Sequence, residues 1–227
     1  DTSSSTLSLP SSAITGQTAI TSLADTDKFL VSDASDSGNL KYVENQYLGG
    51  GNHVLLASSE SESNTSSINF DNVFSSTYSK YFISAHRMST DSDNENIYIQ
   101  VRISGSNQTS GAYHYILTGN KSNTTGTSDI NVGYNSQAQW MATRGLMSTS
   151  YQGGASLSLW VFDPATSSYN TRIHGVTSFK KGSTEDYEVY TFGGIRSQTS
   201  VHDGIRIYPS SGNIQKHRVY IYGVKDS

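Results

Sequence analysis

Cysteine is absent from this chain. That excludes disulfide staples and every CxxC zinc site. Charge is scarce as well: Asp, Glu, Lys and Arg make up 15% of the residues, and the formal net charge is only -4. With no basic excess to neutralise phosphates, nucleic acid is not an expected partner. No stretch approaches the roughly 18 consecutive apolar residues of a spanning helix, so membrane insertion is not expected either. Leu, Lys and Glu are few, which leaves little to build helices from. What is abundant is Ser, Thr, Asn, Gly and Tyr, with 15 tyrosines among 227 residues. Tyr, Val, Ile and Thr favour strands, and Ser, Asn and Gly favour turns. The expected class is all-β, in a chain long enough to bury a real core.

The chain reads as two parts. Residues 1–12 are Ser/Thr-rich and form an extended arm. Residues 13–47 hold two strand candidates, KFLVS and NLKYV, and the run LGGGN at 48–52 follows. Consecutive glycines have maximal backbone freedom and nothing to pack, so a boundary is placed there: 1–51 as a small N-terminal β-module with its arm, 52–227 as the main domain. From His53 onward, period-2 alternation dominates. Ile97, Ile99, Val101 and Ile103 share one face of a strand, and Tyr98, Gln100 and Arg102 the other. Leu157, Leu159 and Val161 line one side of another. About nine or ten strands at this spacing predict a β-sandwich. The segment NKSNTTGTSD reads as a polar loop, and the stretch around AQWMATRGLM has room for a short helix.

Two segments invite a calcium reading. Asp33, Ser35, Ser37, Gly38, Leu40 and Glu44 stand at EF-hand positions. The Ser positions are weak ligands, however, and the flanks alternate as strands do, so a hairpin with a polar connection is expected. Asp91, Asp93 and Glu95 alternate in an acidic turn, which reads as a solvated tip between strands. No metal and no cofactor are expected. The six histidines show no zinc spacing, and no G-x-S-x-G elbow is present. Asp129, Asp163, Glu185, Asp186 and Glu188 are acids available for glycoside hydrolysis, with none singled out. The chain reads as non-enzymatic.

Aromatic side chains combine a stacking face with a polar tip. Tyr113, Tyr115, Tyr134, Trp140 and Tyr151 lie in or beside the least regular part of the sequence. Loops on a rigid scaffold carry recognition, so these five are the candidate glycan or receptor contacts. The bland alternative is that they fill the core.

The segment ITGQTAITSLADTDKFLVSDASDSGNLKYV resembles a short module of bacteriophage virion proteins, tail fibres above all. Ala24, Asp25, Asp27, Leu30, Val31, Asp33, Ser35, Leu40 and Lys41 carry the match. The segment GIRIYPSSGNIQKHRVYIYGVK resembles the closing hairpin of jelly-roll domains in phage fibre and surface proteins. There Gly204, Ile205, Ile207, Ser211, Gly212, Asn213, Ile214, Tyr220, Ile221, Tyr222 and Gly223 fit, while Lys216 or His217 stands where a Gly is usual. The resemblance implies a jelly-roll-like β-sandwich on the virion surface, anchored by the N-terminal module through Asp25, Asp27, Leu30, Val31, Asp33, Leu40 and Lys41. It also implies a homotrimer, with Tyr220, Tyr222 and Phe162 available to pack between copies. The expected partners are other copies of the chain, tail or major capsid proteins, and a host-surface glycan. A short tail fibre is the leading expectation, a capsid-decorating or cement protein the second, and a secreted carbohydrate-binding module the third.

Overall fold

The computed structural model describes residues 28–33, 39–44, 52–123, 126–145, 154–181 and 186–225. The chain divides into two compact units, residues 1–51 and 52–227.

In the first unit, β1 (Lys28–Asp33) pairs antiparallel with β2 (Asn39–Glu44), from Lys28 opposite Glu44 to Asp33 opposite Asn39. The EF-hand alternative would require helices where these strands stand. Leu30 and Tyr42 face each other across the pair, and both are exposed. The Lys28 ammonium lies 4.2 Å from the centre of the Tyr42 ring, a cation–π contact. Of the expected anchoring residues, Leu30, Val31 and Asp33 fall on β1, and Leu40 and Lys41 on β2. Asp25 and Asp27 lie outside the described residues.

The second unit is a β-sandwich, and no helix occurs among the described residues. Its strands are β3 (His53–Ser61), β4 (Ile68–Phe70), β5 (Lys80–Thr90), β6 (Ile97–Ile103), β7 (Ser106–Asn107), β8 (Tyr113–Asn123), β9 (Gly126–Gln137), β10 (Trp140–Met141), β11 (Ala155–Phe162), β12 (Arg172–Lys180), β13 (Tyr187–Arg196), β14 (Gly204–Pro209) and β15 (Ile214–Val224). The large sheet runs β3-β15-β5-β11-β12-β13-β8-β9, and the small sheet β10-β6-β14-β4 with β7 beside β6. All pairings are antiparallel.

The alternation seen in the sequence is the alternation of burial. Tyr81, Ile83 and Ala85 of β5, Leu157, Leu159 and Val161 of β11, and Val219 and Ile221 of β15 point inward from the large sheet. Ile97, Ile99 and Val101 of β6 and Ile205 and Ile207 of β14 meet them from the small sheet in one continuous core. Each such side chain contributes about 1.5–3 kcal/mol by leaving water.

Three sequence expectations are corrected. The segment NKSNTTGTSD is no loop: it closes β8 and opens β9, which pair from Asn123 opposite Gly126 to Tyr113 opposite Gln137. The helix expected near AQWMATRGLM is absent from its described residues, where β10 stands instead. The closing segments do not form a hairpin. β14 lies in the small sheet between β6 and β4, and β15 lies in the large sheet between β3 and β5. The connection Ser210–Asn213 therefore arches from one sheet to the other, and the acidic turn between β5 and β6 does the same. Both strands of each arch bury their apolar residues in the same core, which a hairpin within one sheet would also permit. The tips of the two arches are clamped together. Asp91 accepts hydrogen bonds from the Asn213 backbone N–H (2.9 Å) and side-chain amide (2.7 Å). Glu95 accepts from the Ser211 N–H (2.8 Å) and hydroxyl (2.7 Å), and from the Ser210 hydroxyl. The two acids thus bind the arches to each other.

Candidate functional site

The outward face of the large sheet carries a transverse row of residues set by strand register. Tyr222 lies opposite Phe82, Phe82 opposite Trp160, and Trp160 opposite His174. His174 then lies opposite Gly193, Gly193 opposite Ile116, and Ile116 opposite Gly133. The first half of the row is aromatic, and in the second half exposed Ile116 stands between two glycines. Phe82 and Trp160 approach to 5.1 Å between ring centres, and His53 closes on both at 5.8 and 5.9 Å.

At the end of the aromatic half, three rings stand nearly parallel to one another, as a stack. Trp160 is tilted by 16° from Phe162 and 28° from His174, and Phe162 and His174 differ by 25° at 5.4 Å. Beyond them opens a groove of about 920 Å³. Gly193, Gly133 and Ile116 form its floor, Phe162, His174 and Arg172 one end, and His114, Asn135 and Ile195 the other. Exposed Val176, Thr191, Thr118 and Asn131 form the next transverse row beside it.

The two floor glycines differ from most others in this domain. A methyl group built on Gly193 would meet nothing nearer than 3.6 Å, and one on Gly133 nothing nearer than 3.8 Å. At Gly175 and Gly194, by contrast, it would come within 2.5 and 2.7 Å of backbone oxygens. Packing demands glycine at Gly175 and Gly194. At Gly133 and Gly193 the missing side chain only keeps the groove open.

The polar groups at the rim are already oriented. Arg172 donates to Asp163 at 2.7 Å, so the guanidinium brings no uncompensated positive charge. The His114 ring lies 3.1 Å from the Ser197 hydroxyl and 3.4 Å from the Asn135 side-chain oxygen.

The five aromatic residues expected as contacts fare differently. Tyr113 and Trp140 are 0% exposed and Tyr115 is 4% exposed. Their side chains are core, not a recognition surface, which corrects the expectation for these three. Trp140 packs edge-on against Tyr113 at 4.7 Å, and its indole N–H donates to the Ile195 carbonyl at 3.4 Å. The Tyr113 hydroxyl donates to the Gln108 carbonyl at 2.7 Å and accepts from the Val101 N–H, and burial pushes its pKa up to about 12. Tyr134 is half-buried and stacks on Tyr115 at 5.1 Å. Both border the groove from beneath. Tyr151 lies outside the described residues. Sequence reasoning missed Trp160, Phe162, His174, His114 and Gly193 as a site. Trp160 and Phe162 were visible as outward positions of ASLSLWVF, but their neighbours are set by register alone.

Two of the acids noted for glycoside hydrolysis have structural partners, and Glu185 lies outside the described residues. Asp163 holds Arg172, and buried Glu188 accepts from the Tyr190 hydroxyl with the Lys181 ammonium at 3.6 Å. Among the described residues, no group of three or more His, Asp or Glu side chains is arranged to hold a metal ion. Comparison with protein-family models, with curated proteins and with solved structures finds no match to this chain.

Proposed function

We propose that this chain is a non-enzymatic structural protein of a bacteriophage particle, a homotrimer anchored through residues 1–51 that projects its β-sandwich outward as a short tail fibre. One observation carries this reading. The residues that resemble the virion module, FLVSD and NLKYV, pair strand to strand as β1 and β2 in a unit separate from the sandwich. That arrangement suits an anchor joined to an independent projecting domain.

The strand order supports a finer description of the sandwich as jelly-roll-like. The consecutive strands β3-β15-β5-β11 of the large sheet and β4-β14-β6-β10 of the small one interleave as the two sheets of a jelly roll do. On that description β12, β13, β8 and β9 are additions that widen the large sheet. A capsid-decorating protein is the second form of the same reading, and it shares the anchor and the trimer.

Particles purified on a density gradient from the source culture test the proposal. Mass spectrometry finds the full chain in the particle band, and a chain lacking residues 1–51 is not incorporated. Recovery of the full chain only outside particles overturns the reading. Light scattering on the purified chain gives three times 24.6 kDa for the trimer, and a monomer overturns that part of it.

A further inference from the structure

We infer that the groove flooring β12, β13, β8 and β9 is a binding site for a neutral oligosaccharide. The inference does not rest on the particle reading, since a free sandwich with this groove binds the same ligand.

Four features select the ligand. The volume of about 920 Å³ falls in the range of ligand sites, which is roughly 300–1,000 Å³. At one end stand Phe162 and His174, whose rings stack 25° from parallel at 5.4 Å, with Trp160 stacked behind them outside the lining. A flat ring surface fits the C–H face of a pyranose, which is apolar and also flat. Polar groups stand at the floor: His114 and Asn135 line it, and Thr191, Thr118 and Asn131, with Val176, form the next row beside it. These match a ligand with hydroxyls all round its rim. Among the described residues that line the groove, the one guanidinium is that of Arg172, which is already paired with Asp163 at 2.7 Å. A phosphate or carboxylate ligand finds no free cation there, which is why the ligand is neutral.

Length points to more than one sugar. From His174 on β12 to Gly133 on β9 the floor crosses three inter-strand gaps, about 14 Å at the usual spacing. Glycine in the floor is not imposed by packing, because both Gly133 and Gly193 have room for a side chain. Glycine within a strand costs stability. Keeping two of them on an exposed face, one on either side of Ile116, makes sense if something else lies on them. This use assigns Phe162 to ligand rather than to a contact between copies.

The site yields two independent variants. Phe162→Ala removes an aromatic ring from the end of the groove. Gly193→Val fills the floor without disturbing the backbone, and a β-branched residue suits the strand. The purified full chain is applied to a printed array of neutral oligosaccharides of two to six units, with acidic counterparts beside them. The expected result is retention of at least one neutral class, stronger with length. Both variants lose it by tenfold or more while keeping the wild-type melting temperature. Titration of the best ligand shifts the emission of half-exposed Trp160, since Trp140 is sealed in the core. Three outcomes overturn the inference. One is no retention of any neutral saccharide. Another is retention that both variants leave intact. The third is variants that change the native mass instead, which makes this face a contact between copies.

Discussion

Glu95 accepts both the backbone N–H and the hydroxyl of Ser211, a residue 116 positions away in the chain, at 2.8 and 2.7 Å. With Asp91 on Asn213, it ties the two arches that carry the chain between the sheets. Charged hydrogen bonds of this kind contribute about 1.5–3 kcal/mol, less at an exposed site. Glu95→Gln therefore lowers stability by about 1 kcal/mol, read as a lower urea midpoint with an unchanged m-value.

A buried histidine makes the sandwich acid-sensitive. The His202 ring is 0% exposed, with Arg196 Nη1 at 3.1 Å from Nε2 and the Thr171 hydroxyl at 2.9 Å from Nδ1. Arginine only donates, so Nε2 accepts and Nδ1 carries the proton. Burial, reinforced by the Arg196 charge, lowers the His202 pKa from 6.5 to about 4, against the weaker opposing effect of Asp203. The unfolded chain therefore binds this proton more readily than the native one. The stabilisation is complete above pH 6.5 and is lost as pH falls toward 4. The loss amounts to about 3 kcal/mol. Urea midpoints fall over this window in the wild type, and the fall is much shallower in His202→Gln.

Trp140 is a core residue, and truncating it tests that placement. Its ring fills the space over Gly194, where a methyl group would come within 2.7 Å of the indole. Trp140→Ala costs about 3–5 kcal/mol, read as a much lower urea midpoint. A stable variant that merely lost ligand would contradict the packing described here.

The two kinds of glycine separate cleanly. Gly175→Ala drives a methyl group to 2.5 Å from the Ser158 carbonyl oxygen and 2.7 Å from the Phe192 ring. It lowers the melting temperature by several degrees, in line with about 1–3 kcal/mol of overpacking. Gly133→Val on the open face leaves the melting temperature unchanged or raises it.

The sandwich holds its core within residues 52–227. A chain beginning at Asn52 keeps the far-ultraviolet dichroism of β-structure and melts cooperatively within a few degrees of the full chain.

The all-β class was legible because burial follows alternation, as in YFISA and ASLSLWV. Strand β9 was not, since Ile130, Val132 and Tyr134 alternate with Asn, Gly and Ser that look like loop. The sheet assignment of β14 and β15 was not legible either. SSGN suits a hairpin and an arch equally, and the acids that clamp its tip, Asp91 and Glu95, lie far away in the chain. Tyr and Trp are ambiguous by nature, at home in a core or at a wet surface. Irregular sequence around Tyr113 and Trp140 favoured the surface, while Gly194 had cleared a space for the indole. The row from Tyr222 to Gly133 joins residues from seven strands, and only register brings them into line.

Strand β15 sits between β3 and β5, both drawn from the far end of the domain. Until it arrives, those two strands face an empty lane lined with unpaired amides and carbonyls. Any chain that unfolds only at this strand presents that lane to its neighbours, and the best-matched segment to fill it is β15 of another copy. Strand exchange between copies is thus the natural failure of this fold on heating or at high concentration. Loss of residues 214–225 would leave the lane permanently open, so the domain tolerates cuts before Asn52 far better than cuts after Asn213.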